Sequence, residues 1–75
     1  MTETTSPVVR LRRDAWDAWV ARRQLGARVL QAAHVCVSGP TLYRALAGQP
    51  VGEEFIAGCM AKYDGTFEEL FEVVR

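Results

Sequence analysis

Four interruptions cut this chain into short pieces: Gly26, Ser38-Gly39-Pro40, Gly48-Gln49-Pro50 and Asp64-Gly65. Glycine ends helices by taking the left-handed conformation and proline is tolerated only in a helix's first turn, so no long regular element runs through these points. Seventy-five residues make one small domain, in which short apolar pieces must bury one another. Hydrophobic residues are 49% of the chain and charged residues 24%, enough for a core and far from the charge-heavy composition of disorder.

Within the pieces the apolar period is helical. Leu11, Ala15, Trp19 and Arg22 fall on one stripe, with Trp16 and Ala18 on adjoining rows, which predicts a first helix over Leu11 to Gln24. Arg12, Arg13, Asp17 and Arg23 lie on its wet side. Ala27–Val35 reads as a second helix, with Val29, Leu30, Ala32 and Ala33 available for burial. Ser38 can cap a third helix that carries Pro40 in its first turn, runs through Ala47 and stops at Gly48. Glu53-Glu54 suit the positive end of a fourth helix, continued by Phe55, Ile56, Cys59, Met60 and Tyr63. Thr66-Phe67-Glu68-Glu69 is a capping box, opening a fifth helix with Phe67, Leu70, Phe71 and Val74 on its apolar face. The expectation is an all-α domain of five short helices and no strands over residues 9–75, after a disordered tail at 1–8. At helical spacing, Trp16, Trp19, Phe55, Phe67 and Phe71 read as core rather than as a base-stacking platform.

The charge is zero overall and lopsided along the chain. From Val8 to Gly48, seven arginines stand against Asp14 and Asp17, a net +5; from Gln49 to Arg75, Lys62 and Arg75 stand against six acids, a net −4. Such a split fits a basic half that faces a polyanion, and equally two solvated faces of opposite sign that attract each other.

Several classes fall away. The longest uncharged stretch, Val29 to Tyr43, contains Gln31, His34, Ser38, Gly39 and Pro40, so it is no membrane span. Met1–Pro7 lacks the basic start and apolar run of a secretory signal, which leads to a cytoplasmic expectation. Cys36 and Cys59 are therefore expected as reduced, buried thiols rather than as a disulfide. No Cys-x-x-Cys or His-x-x-x-His spacing supplies four zinc ligands, and no metal, cofactor or small-molecule ligand is called for. A Cys–His nucleophile at His34 and Cys36 would need a preorganised cleft and an orienting group, which a domain this small rarely has, so no catalysis is expected.

Two short helices separated by a brief break, the second with a serine cap, are the layout of a helix-turn-helix. The stretch from Ala33 to Gly48, AHVCVSGPTLYRALAG, resembles the core of the Cro and phage-repressor type (XRE) helix-turn-helix family. Val37-Ser38, Thr41-Leu42 and Gly48 fall on that family's marked Val-Ser, Thr-Ile and Gly positions. Downstream, Phe55-Ile56-Ala57 and Thr66-Phe67-Glu68-Glu69-Leu70-Phe71 are similar to its fourth helix and closing Glu-Leu-Phe segment, so the resemblance covers about Leu11 to Val74. Three positions depart: Cys36 stands at the turn where glycine is usual, Gln31 where an aliphatic residue is usual, and Leu46 where a polar one is.

The resemblance implies a lambda-repressor-like domain that puts its third helix into the major groove of double-stranded DNA. Carried over by position, the base-reading places fall on Gly39, Pro40, Tyr43 and Arg44. Arg44 can bind guanine O6 and N7; Tyr43 either faces DNA or packs inward. Arg28 matches the polar residue at the start of helix 2 that reaches a phosphate, while Ser38 and Thr41 are caps first and phosphate contacts second. One or two of Arg10, Arg12 and Arg13 would touch the flanking backbone. The implied function is a small Cro-like transcriptional regulator, a homodimer on its operator. It would associate through Leu46 and Gly48–Val51 or through the Phe71–Val74 end. The alternatives are a protein-interaction adaptor or inhibitor on the same scaffold, which Gly39-Pro40 permits, and an accessory DNA-architectural or excision factor.

Overall fold

Valines bracket the chain, Val8-Val9 near one end and Val73-Val74 near the other, and β-branched residues favour extended backbone where they find a partner strand. In the computed structural model, which describes residues 7–74, they find each other. Strands β1 (Val8–Leu11) and β2 (Phe71–Val74) form a two-stranded antiparallel sheet with Leu11 opposite Phe71 and Arg10 opposite Glu72. Between them lie α1 (Arg13–Arg22), α2 (Arg28–His34), α3 (Gly39–Leu46), α4 (Glu53–Met60) and α5 (Phe67–Leu70). The domain is predominantly helical but not all-α. Of the tail expected at 1–8, residues 1–6 lie outside those described, and Val8 already belongs to β1.

The expected fifth helix keeps its capping box and one turn, then gives way to β2. Arg12 supplies the reason. Its backbone N–H donates to the Leu70 carbonyl (2.8 Å), and its Nε donates to the carbonyls of Glu68 (3.0 Å) and Phe71 (3.2 Å). These bonds satisfy carbonyls at and just beyond the end of α5, where further helical turns would otherwise be needed. Phe71 then turns extended (φ −127°, ψ 158°) to pair with Leu11. Arg12 also meets Glu72 (3.4 Å), one of two ion pairs between the basic and acidic halves among the described residues; the other is Arg22–Asp64 (3.7 Å). Both are about half exposed and add little stability of their own.

Helix α1 begins at Arg13, two residues later than its stripe suggests, because Leu11 is in the sheet. Its end introduces a device used three times. Gln24 takes a left-handed φ of 59°, its N–H donates to Ala21 O (3.2 Å), and the Leu25 N–H donates to Val20 O (2.9 Å). This is the Schellman arrangement, which satisfies the last carbonyls of a helix. Cys36 (φ 61°) does the same for α2, with Val37 donating to Ala32 O (3.0 Å), and Gly48 (φ 92°) for α3, with Gln49 donating to Arg44 O (3.1 Å). Only the third of these stops is a glycine. Gly26, expected to punctuate the first break, follows the left-handed turn by two residues.

An aromatic row runs through the core. Tyr63 meets Trp19 edge-on (5.2 Å), Trp19 meets Trp16 (5.5 Å), and Trp16 lies against Phe55 (6.1 Å). Phe55 meets Phe71 edge-on (6.2 Å), and Phe71 stacks on Phe67 (5.2 Å). Such pairs add about 0.5–1.5 kcal/mol each beyond the area they bury. Leu42, Leu70, Val35 and Cys59 complete the fully buried set. Burial pushes the Cys59 thiol up to about 12.

Helix α4 reaches α2 through one missing side chain. A Cβ on Gly58 would fall onto the Val35 carbonyl oxygen, with the carbonyl carbon 3.1 Å away, and both belong to backbone that cannot swing aside. Gly58→Ala is therefore expected to lower stability by about 1–3 kcal/mol despite alanine's better helix propensity, as urea unfolding would measure. Cys59 gives a pH expectation. Its folded thiol stays neutral up to about 12 against 9.0 for an ordinary thiol, so its contribution is complete below pH 9 and falls away as pH rises from there toward 12. Unfolding midpoints taken across that range should fall less in Cys59→Ala than in the parent chain.

Candidate nucleic-acid interface

The segment from Arg28 to Leu46 brings two short helices together around a four-residue connection, Val35 to Ser38. The left-handed residue at its centre is Cys36, so the departure from glycine is accommodated by backbone strain rather than by a different turn. A non-glycine residue pays about 1–2 kcal/mol there. Cys36 is exposed and Cys59 buried, and both are free thiols, which corrects the expectation that both are buried. His34 is half-buried and meets Trp19 edge-on at 5.6 Å.

Helix α2 buries a different face from the one its sequence suggests. Ala32 is buried as expected, but Val29 is 73% exposed, Leu30 51% exposed, and Gln31 takes the inward place. Gln31 can do so because both ends of its amide are satisfied. Its Nε2 donates to the Leu25 carbonyl (2.7 Å), and its Oε1 accepts from Arg28 Nη1 (2.8 Å). A buried amide with complete partners costs little. Half-buried Arg28 thus has one hydrogen bond to the core, and its guanidinium has no carboxylate partner among the described residues.

Helix α3 starts at a built cap. The Ser38 hydroxyl accepts the Thr41 N–H (3.4 Å) and shares a 2.8 Å hydrogen bond with the Thr41 hydroxyl, while Pro40 stands in the first turn. Ser38 and Thr41 are therefore engaged with each other. Leu42 and Ala45 face the core, and Gly39, Pro40, Tyr43 and Arg44 are all exposed. The two open orientations of Tyr43 resolve outward, at 59% exposure. Arg44 is in no ion pair among the described residues, and no acidic side chain lies on α2 or α3.

The three amino-terminal arginines each have a place within the fold. Arg12 is spent on α5 and β2, and Arg13 on Asp17 (3.1 Å) and the Leu46 carbonyl (3.3 Å). Arg10 is half-buried in the sheet opposite Glu72. Leu46 is half-buried against the core.

Between α2 and α3 lies an open groove of about 380 Å³, with Val29, Ala33, Val37, Gly39 and Tyr43 along it and Arg28 also on its wall. Sequence reading missed this feature because Val29 and Ala33 carry the apolar character of a buried face. Gln31 standing one position along from Leu30 was the signal that the face is rotated.

No protein-family model matches the chain, and neither a curated protein nor a solved structure does.

Relieving the turn is measurable. Cys36→Gly should raise stability by up to about 1 kcal/mol, because the left-handed strain of about 1–2 kcal/mol exceeds the unfolded-state entropy that glycine adds. Cys36→Val should lower it, and thermal unfolding of the two variants checks both signs.

Proposed function

We propose that this chain is a lambda-repressor-like helix-turn-helix domain of a small transcriptional regulator, which binds double-stranded DNA as a homodimer and acts by occupying its operator. One helix face carries the reading. Gly39, Pro40, Tyr43 and Arg44 of α3 all look outward and none of these four is needed to hold the core together, while Arg28 of α2 lies on the shared groove. A helix that projects its early residues away from the body is what a major groove accepts.

The roles follow from chemistry. Arg44 is the one side chain of the α3 face able to make the bidentate contact to guanine. Arg28 serves a phosphate, steered by its bond to Gln31. Ser38 and Thr41 hold the helix end first. With so few base contacts per protomer, a unique site requires two copies on inverted half-sites about 10 base pairs, or about 34 Å, apart. Of the two surfaces available to a second copy, the β2 end carries Val73 at 48% exposure, whereas Leu46 is half-buried and its carbonyl is occupied by Arg13.

A second reading has one observation in its favour. The groove between α2 and α3 is apolar and open, as the docking site of a protein-interaction adaptor would be. Salt separates the readings, since binding that neutralises phosphates weakens with a slope of about −0.9 per contact in a plot of log affinity against log salt. Gel shifts on genomic fragments at two salt concentrations should show that weakening. Arg44→Ala should cost about 1–3 kcal/mol at the cognate site and little on random DNA; Arg28→Ala should weaken both alike. Circular dichroism belongs beside the Arg28 variant, because it strips a partner from buried Gln31. Salt-insensitive binding, or none on any duplex, would transfer the function to the adaptor reading.

A further inference from the structure

The groove between α2 and α3 is unusual for a surface that meets bases, because its chemistry is mostly carbon. Val29, Ala33 and Val37 offer no side-chain hydrogen bond, Gly39 offers no side chain at all, and the Tyr43 ring forms one flank. Apart from the Tyr43 hydroxyl and the Arg28 guanidinium, the lining has no side-chain group that could tell the N7, O6, N6 and N4 groups of the bases apart by hydrogen bonding. The one apolar mark in the major groove is the 5-methyl group of thymine. Charge complements this. Arg28 lies on the groove wall, Arg44 follows Tyr43 on α3, and no carboxylate is carried by either helix, so a phosphate beside a seated base edge meets a cation and no opposing anion of these helices.

We propose that this groove is a seat for thymine methyl groups, and that the domain selects its site through them as well as through any guanine read by Arg44. The proposal rests on the DNA-binding reading and goes beyond it by naming the chemical group recognised. The opening of about 380 Å³ is larger than one methyl and admits those of neighbouring thymines. Gly39 keeps it clear. A Cβ there meets no atom within 4 Å, so an alanine adds a methyl group to the lining without disturbing the fold.

The test begins with the full 75-residue chain and selection of duplexes from a randomised pool. The bound sequences should carry thymines at fixed positions in each half-site. Resynthesis with deoxyuridine at those positions removes the methyl group and leaves every hydrogen-bonding atom in place. Each lost methyl should weaken binding about fourfold, the equivalent of about 0.8 kcal/mol for one buried CH₂. Exchanging cytosine for 5-methylcytosine at the same positions should strengthen binding by a similar factor. In Gly39→Ala, with its unfolding midpoint measured in parallel, the ratio of affinities for thymidine and deoxyuridine duplexes should shrink toward one. Equal affinity for the two duplexes in the parent chain would overturn the methyl seat and leave the DNA-binding function standing. Failure to enrich any duplex would overturn both. If apolar peptides from a displayed library are then retained by the parent and lost in Gly39→Ala, the groove belongs to a protein partner.

Discussion

The structure depends on the meeting of its two ends. Leu11 and Phe71 are buried because β1 and β2 pair, and Phe71 links Phe55 to Phe67 in the aromatic row. Arg12 fastens that meeting through three bonds to main-chain carbonyls, so its value lies in ending α5 where β2 must start and less in its half-exposed pair with Glu72. The lopsided charge of the sequence is partly consumed here and partly left free. Arg12 and Arg22 join the two halves, while Arg28 and Arg44 remain without carboxylate partners among the described residues. Attraction between the two halves accounts for Arg12 and Arg22 and leaves the charge of Arg28 and Arg44 unmatched by any carboxylate among the described residues.

The helices were legible where local chemistry decides. Ser38 with Pro40, Gly48, and the Thr66 to Glu69 box mark their boundaries by side-chain hydrogen bonds or backbone freedom that reach only a few residues. What was hidden has a longer reach or an unfavoured residue. The strands pair residues more than 55 positions apart, and the apolar spacing of Phe67, Leu70, Phe71 and Val74 fits a helix equally well. Left-handed stops at Gln24 and Cys36 carry no glycine to announce them. The register of α2 is set by Gln31 reaching the Leu25 carbonyl, a tertiary bond that no hydrophobic count contains.

The candidate interface divides along the same line. Its outward position on α3 follows for Arg44 from the cap and the helical period, whereas the sequence leaves Tyr43 open between two orientations and its exposure in the fold decides. Its groove arises from the rotation of α2, and the exposure of Val29 is the by-product of burying a glutamine. A polar residue inside thereby produces an apolar surface outside.

Placing the first and last strands side by side has a consequence for how the domain forms. The α2–α3 pair closes over a few residues, whereas the sheet closes a loop that spans nearly the whole described chain, from Val8 to Val74. Closing so long a loop carries an entropic cost that only the completed core offsets. During synthesis, Leu11 and Phe55 therefore wait for their contacts with Phe71 until that residue has emerged. The exposed face of α2 and α3 can be assembled early, and the body that makes it rigid is locked only when β2 pairs with β1.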